Sequence, residues 1–145
     1  MAELRTYKDF ADNSYAYFMF AYDNGQIFNE MGAMAQSICE RYLKHLIAEY
    51  AEPENDSESD IKERALRSHN LRVLSNFLRH NMELSMSKTL VTSLNSVNGF
   101  YFSTRYPGED STTLTREELD ECAEAIQLCK EYVEDTINQL GTTDN

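Results

Sequence analysis

The chain has 145 residues, 41% of them hydrophobic, which suits a single domain (1–145) with a sizeable core. Its 13 basic and 25 acidic residues give a formal net charge of −12, which argues against general DNA binding because backbone phosphates repel an acidic surface. No apolar run is long enough to span a bilayer and no signal-peptide pattern is seen, so we expect a cytoplasmic protein.

The apolar residues recur at steps of three and four along most of the chain, which is typical of amphipathic helices. We therefore predict an all-α, antiparallel up-and-down helical bundle of about five helices. The predicted helices cover residues 6–22, 26–50, 69–83, 86–103 and 115–140. One face of the first of these helices is formed by Tyr7, Phe10, Ser14, Tyr17, Phe18 and Ala21.

Polar segments separate these predicted helices. The acidic stretch 51–60 contains Pro53 and predicts a mobile loop, which a short helical turn at 60–67 follows. A basic stretch comes next, since Lys62, Arg64, Arg67, Arg72 and Arg79 are opposed only by Glu63. This pattern predicts a local positive patch, and the alternative is that the arginines pair with their acidic neighbours.

The last helix has the clearest signals for its two ends. Thr115 followed three residues later by Glu118 predicts a capping box at its start. Gly141 predicts its C-terminal end, with a frayed tail over 141–145.

The three cysteines, Cys39, Cys122 and Cys129, include no C-x-x-C pair. Cys122 and Cys129 lie seven residues apart on one helix face, which is too far for a disulfide, so we expect buried, reduced thiols. The histidines have no zinc-type spacing, and the chain has neither a phosphate-binding Gly-rich loop nor a dinucleotide fingerprint. We predict no metal and no cofactor.

The tetrapeptide 104–107, Thr-Arg-Tyr-Pro, stands at the end of the fourth predicted helix. Pro107 lacks an N–H and must stop that helix, which puts Arg105 in its last turn, where a cation complements the helix dipole. An arginine held beside Tyr106 is typical of an anion- or nucleotide-binding corner. The alternative is a helix stop with a solvated arginine.

Arginine and histidine are the candidates for catalysis, because the chain has no nucleophile elbow of the G-x-S-x-G type. Arg64 and His69 have the residue types that stabilise a phosphate transition state and transfer protons, as a metal-independent ribonuclease requires. Arg41 and His45, one turn apart, are interpreted as exposed neighbours on the second helix.

Three segments, taken in order, are similar to segments of the HEPN domain (higher eukaryotes and prokaryotes nucleotide-binding). Residues 34–44 resemble the Ala-x-Gln, Glu, Leu-Lys pattern of the second helix of that family. Residues 68–71, Ser-His-Asn-Leu, resemble its Thr-His-Asp-Leu segment, with Asn70 retaining the helix-capping capacity of the usual aspartate. Residues 104–108 resemble its Arg-Tyr-Pro-Asp corner before the last helix, and the match spans about 7–140.

The resemblance implies a bundle that is commonly dimeric, with a groove linked to nucleotide or RNA binding. The Arg-Tyr-Pro type is similar to members that accompany minimal nucleotidyltransferases in toxin–antitoxin-like pairs, which implies a non-catalytic module that binds a nucleotide or such a partner. Exposed tyrosines such as Tyr15 and Tyr22 would suit a protein interface. The ligand-binding residues expected on this basis are His69, Arg105, Tyr106, Arg67 and Arg72.

The ribonucleases of the family use Arg-x4–6-His, usually with a polar residue directly after the arginine and late in the domain. Arg64 and His69 fit that spacing, but Ala65 follows the arginine and no histidine follows Arg105. A metal-independent ribonuclease or toxin using Arg64 and His69 is therefore the alternative function.

Overall fold

The computed structural model describes residues 3–143, and this part of the chain is helical with no strand. Its helices are α1 (Tyr7–Asp23), α2 (Glu30–Tyr50), α3 (Asp56–Arg67), α4 (Leu71–Asn76), α5 (Lys88–Val97), α6 (Phe100–Ser103) and α7 (Arg116–Thr143). A five-residue π turn, Phe77–Asn81, continues α4. The predicted all-α class is confirmed, and the helices are more numerous than the five expected.

Side-chain contacts at both ends of the bundle show the directions of its helices. Tyr22, near the end of α1, hydrogen-bonds to Asp120, near the start of α7, and Asp12, earlier in α1, accepts from Lys130, later in α7. The two helices therefore run in opposite directions. At the far end of α2, Lys62 of α3 donates to the carbonyl oxygen of Ala51 at 2.8 Å. His69, two residues after α3, contacts Gln36 and Glu40 nearer the start of α2, so α3 runs back along α2.

The core is centred on α2, which packs against both α1 and α7. The side chains of Ile38, Tyr42 and Leu46 are completely buried there. The three cysteines are also buried and free, as predicted, and burial raises the pKa of Cys122 to about 12. The thiols are therefore core residues.

The acidic segment 51–60 is helical from Asp56 onward, so the prediction of a loop over its whole length is wrong. The side chain of Asn55 accepts a hydrogen bond from the backbone N–H of Glu58 at 2.9 Å and caps α3. The carboxylates of Asp56 and Glu58 lie in the first turn, where they are stabilised by the positive end of the helix.

The fourth predicted helix, 86–103, is divided into α5 and α6. Gly99 has a φ of 101°, which interrupts the helical backbone. α6 then ends at Ser103, ahead of Pro107, so the predicted stop is confirmed, while Arg105 lies in the turn after the helix and not in its last turn.

The capping box of α7 is present: Glu118 N donates to Thr115 Oγ1 at 3.1 Å and Thr115 N donates to Glu118 Oε1 at 3.2 Å. The expected end at Gly141 is wrong, because α7 continues to Thr143. A glycine weakens a helix by only about 1 kcal/mol and does not by itself end it. The rest of the expected frayed tail, 144–145, lies outside the described residues.

The aromatic face expected on α1 points largely to solvent. Ala11 and Phe18 are buried, whereas Phe10 is 47% and Tyr17 66% exposed. The helix is oriented by Asp12, which accepts hydrogen bonds from the hydroxyl of Tyr42 on α2 and from Lys130 on α7. That flank of α1 must therefore face the bundle, and the Phe10 flank faces outward.

Arg41 and His45 are not the exposed neighbours expected on α2. Arg41 is half-buried and donates to the hydroxyls of Ser14 and Ser37, each at 2.7 Å. His45 is only 8% exposed and packs edge-on against Tyr50. Both residues therefore help to hold α2 in the bundle.

We expect Gly32→Ala to lower the free energy of unfolding. An added Cβ would lie 2.7 Å from Thr104 Cγ2 and 3.3 Å from Leu114 Cδ1, and Thr104 is fixed by a 2.6 Å hydrogen bond from its Oγ1 to the Phe100 carbonyl. Overpacking of this kind costs about 1–3 kcal/mol, which exceeds the gain in helix propensity. Urea unfolding measures the change.

Gly141→Ala is the matched control, since no atom beyond the adjacent residues and the nearby helix backbone lies within 4 Å of its added Cβ, and alanine favours the helix by up to about 1 kcal/mol. A Gly32→Ala variant as stable as the wild type would contradict this account of the contact.

We expect His45 to make stability depend on pH near neutrality. Its Nδ1 has no hydrogen-bond partner among the residues described, and burial lowers the pKa of the imidazole. The unfolded chain then binds this proton at a higher pH than the folded chain does. The free energy of unfolding therefore falls as the pH drops below about 6.5, the ordinary pKa of histidine.

The measurement is urea unfolding between pH 7.5 and 5.5 at constant ionic strength. His45→Leu should remove most of the decline, whereas His80→Leu, at an exposed position, should leave it in place. An unchanged pH dependence in His45→Leu would show that other groups cause it.

Candidate functional site

The buried side-chain amide of Gln36 joins two segments that are far apart in the sequence. Its Nε2 donates to the carbonyl oxygen of His69 at 2.9 Å. Its Oε1 accepts from the backbone N–H groups of Gly99 at 3.0 Å and of Tyr101 at 2.8 Å. A buried amide needs such partners, and these three hold the start of α4 and the start of α6 against α2. His69 and Tyr101 are thereby placed side by side.

Glu40, one turn further along α2, holds the imidazole of His69. The Oε1 atom of Glu40 accepts a hydrogen bond from His69 Nδ1 at 2.6 Å and another from Lys44 Nζ at 2.9 Å. Glu40 and Lys44 are buried, whereas the side chain of His69 is 71% exposed. Glu40 therefore fixes the ring at Nδ1, and much of the imidazole is left open to solvent.

The ring of Tyr101 contacts the side chains of both His69 and Arg105. Its ring is stacked on that of His69, with the centroids 6.2 Å apart and the planes at 6°. The guanidinium carbon of Arg105 lies 4.7 Å from the Tyr101 centroid and 5.6 Å from the Tyr106 centroid, within cation–π range. The Tyr101 side chain raises the pKa of Arg105 above its usual value, so Arg105 stays charged. We call His69, Tyr101, Arg105 and Tyr106 the His69–Arg105 cluster.

The backbone of the corner is held by Asn29, which precedes α2. Its Nδ2 donates to the carbonyl oxygens of Thr104 at 2.9 Å and Thr112 at 2.8 Å, while its Oδ1 accepts from the backbone N–H of Leu114 at 2.8 Å. The loop between α6 and α7 is therefore fastened to α2 close to Arg105.

An open cleft with a volume of about 420 Å³ lies beside the cluster. Phe102 and Tyr106 line it and are 64% and 53% exposed, and Glu109 and Asp110 also line it. The cleft therefore combines aromatic surfaces with hydrogen-bond acceptors.

Three of the five predicted ligand-binding residues come together, because His69, Arg105 and Tyr106 all belong to the cluster. Arg67 instead lies on α3 and forms an exposed ion pair with Glu63 at 3.6 Å. Arg72 is exposed on the first turn of α4. No contact among the described residues joins Arg67 or Arg72 to the cluster.

Arg64 lines a different cavity, between α3 and the π turn, together with Val73 and Phe77. In the part of the chain that the structure covers, no hydrogen bond or ion pair links Arg64 to His69. Asn70 caps α4 as expected, since its Oδ1 accepts from Arg72 N at 2.9 Å.

Sequence reasoning gave no role to Gln36, Glu40 or Tyr101. The signal for the first two was their position four residues apart within an apolar helical pattern, where a polar residue must find a buried partner. Tyr101 falls inside the continuous helix predicted over 86–103, and the break at Gly99 changes its direction.

The tyrosines expected to be free for a protein interface are engaged inside the chain. Tyr15 is half-buried in the core, and the hydroxyl of Tyr22 donates to Asp120 at 2.5 Å. Arg116 also covers the Tyr22 ring, 4.5 Å from its centroid. These two side chains are therefore not an exposed patch.

No protein-family model matches the chain, and neither the curated proteins nor the solved structures contain a significant match. The likeness to HEPN domains therefore stays a prediction. Over residues 3–143, no cluster of histidine, cysteine or acidic side chains could hold a metal ion. Within the same range no helix has the length and apolarity needed to cross a membrane.

We expect Glu40→Gln to destabilise the protein by about 3 kcal/mol, because it leaves the buried ammonium of Lys44 without its counter-charge. Adding Lys44→Met should recover most of this loss, which a double-mutant cycle of urea unfolding measures. Glu63→Gln, which breaks the exposed pair with Arg67, should cost less than about 1 kcal/mol. No recovery in the double variant would contradict the assignment of Glu40 as the counter-charge.

Proposed function

We propose that the chain is a HEPN-like module that binds a nucleotide at the His69–Arg105 cluster and does not catalyse a reaction. The observation that carries the proposal is the joint contact of His69 and Arg105 with the ring of Tyr101, beside two exposed aromatic side chains. Anion-binding groups and stacking surfaces for a base are thus adjacent.

In this proposal Arg105 binds the phosphate of the nucleotide. Its guanidinium donates in a planar fork that suits phosphate oxygens, and the exposed imidazole of His69 lies on the same tyrosine. Its present partner is Glu30, whose Oε2 lies 3.7 Å from Arg105 Nε and whose side chain is 71% exposed. Such a pair is worth less than about 1 kcal/mol, so a phosphate can displace it.

The cleft next to Arg105 suits the base. A base can stack on Tyr106 or Phe102, and each such contact contributes about 1–3 kcal/mol in single-stranded nucleic-acid complexes. Glu109 and Asp110 would accept hydrogen bonds from exocyclic amino groups, and they disfavour a phosphate at that position. The expected pose therefore has the base in the cleft and the phosphate outside it, on Arg105.

The charge of the molecule favours a small ligand over a long nucleic acid. The net charge of −12 repels every phosphate that lies beyond the cluster. A mononucleotide has few phosphates, which would lie at Arg105 and His69, so it meets less of that repulsion than a long chain does.

Catalysis is the second candidate, and one contact favours it. Glu40 fixes His69 at Nδ1, which is how a carboxylate orients a histidine that acts as general acid and base. Arg105 lies on the same tyrosine ring as His69, while Arg64 lies in another cavity. A metal-independent ribonuclease would therefore use His69 with Arg105 as the stabiliser of the transition state.

The proposal includes a protein that binds to this chain. The resemblance to HEPN members that accompany minimal nucleotidyltransferases supports such an enzyme as the partner, in a pair of the toxin–antitoxin kind. The cluster would then display the bound nucleotide to that enzyme.

Isothermal titration with AMP, ADP and ATP tests the binding. We expect measurable affinity in the wild type and a loss of at least tenfold in Arg105→Ala, because a charge-assisted fork contributes about 1.5–3 kcal/mol. Arg67→Ala is the matched control and should bind as the wild type does. The proposal fails if no nucleotide binds at millimolar concentration or if Arg105→Ala binds unchanged.

The same protein samples, incubated with single-stranded RNA in the presence of a chelator, separate the two candidates. Binding without RNA cleavage supports the first candidate. Cleavage that disappears in His69→Ala would replace it with the second.

A further inference from the structure

The outer face of α1 carries large aromatic side chains that nothing in the described chain covers. Phe10 is 47%, Tyr17 66% and Phe20 72% exposed, and Asn13 lies exposed between them. Residues 13–22 include no charged residue, although 26% of the chain is charged. We call Phe10, Asn13, Tyr17 and Phe20 the outer seam of α1.

We propose that the outer seam is a dimer interface, in which α1 packs antiparallel against α1 of a second copy. The seam residues are spaced by three, four and three, which keeps them on one helix face. This spacing reads the same in both directions, so a two-fold axis near residue 15 pairs Phe10 with Phe20 of the second copy. The same axis pairs Asn13 with Tyr17. A two-fold interface requires this self-complementarity.

The exposed aromatic area is about half of the area that each partner of a stable dimer buries. An aromatic side chain has roughly 200 Å² of surface, so the exposed fractions of Phe10, Tyr17 and Phe20 leave roughly 370 Å² uncovered. Tyr7, 36% exposed one turn earlier, adds to it. A stable interface buries about 800 Å² per partner, and the seam supplies the apolar centre of such an area.

The charges at the two ends of α1 fit the antiparallel arrangement. Arg5 is exposed, and its one ion-pair partner among the described residues is the exposed Glu3, two residues away. Asp23 lies in the last turn of α1, where a carboxylate is unfavourable and where no cation among the described residues is within ion-pair distance. An axis near residue 15 brings Asp23 to within about 5 Å, measured along the helix, of Arg5 of the second copy. A parallel arrangement would instead place Asp23 beside Asp23.

A second copy fits this surface better than an unrelated protein does. The spacing of the seam residues is self-complementary. Because the seam is uncharged, two molecules of net charge −12 would not bring like charges together there. No residue of the outer seam belongs to the His69–Arg105 cluster, which is formed by the segment before α4, by α6 and by the corner after α6. Assembly and nucleotide binding are therefore separate properties with separate measurements.

Sedimentation velocity across a range of concentrations tests the dimer. We expect the wild type to reach twice the 16.8 kDa mass of the chain. Tyr17→Glu/Phe20→Glu should weaken dimerisation at least 30-fold, because the new carboxylates would be buried without a counter-charge against Asn13 and Phe10 of the second copy. Val73→Glu is the matched control, since it places the same acidic group at a large exposed side chain of α4, and it should remain dimeric.

Circular dichroism melting establishes that the seam variant still folds, as expected for substitutions at positions open to solvent. A monomeric wild type at every concentration, or a seam variant that dimerises as the wild type does, overturns the proposal.

Charge reversal tests the direction of packing. Arg5→Glu and Asp23→Arg should each weaken the dimer roughly three- to tenfold, and the two together should restore it because the pair is re-formed with its signs exchanged. Restoration supports the antiparallel arrangement. If the combined variant is weaker than either single one, that arrangement is wrong.

Discussion

The structure of the candidate site depends on the single side-chain amide of Gln36. It is buried in α2, and its three hydrogen bonds reach the carbonyl of His69 and the backbone N–H groups of Gly99 and Tyr101. A buried amide left unpaired would cost about 1–3 kcal/mol, so the segments must meet at this point of α2. The stacking of His69 on Tyr101 and the position of Arg105 above that ring follow from this constraint.

The charged groups of the candidate site form a buried pair and an exposed set. Glu40 and Lys44 neutralise each other inside the bundle, and the remaining acceptor capacity of Glu40 holds the exposed His69. Arg105 then presents its charge from an outer turn, on a molecule whose surface is otherwise strongly acidic. A small anion can therefore bind at Arg105, while the net charge of −12 disfavours a long polyanion.

The long helices could be predicted from the sequence. Each of them buries one face, and that burial produces the apolar repeat of three and four residues. This repeat could not show that the Phe10 and Tyr17 stripe of α1 faces outward, since core faces and interfaces between molecules have the same apolar pattern. The corner at Arg105 and Tyr106 was predicted from Pro107. The supporting roles of Gln36 and Tyr101 were not, because they depend on the break at Gly99 and on contacts between distant segments.

The most direct test of this account is a ¹H–¹⁵N and aromatic NMR titration of the labelled chain with ADP. We expect the largest shift changes at His69, Tyr101, Arg105 and Tyr106, and we expect them to saturate together. A smaller change should reach Gln36, through its hydrogen bonds to the two segments. Changes confined to the cavity of Arg64 and Phe77, or no change at millimolar ADP, would contradict it.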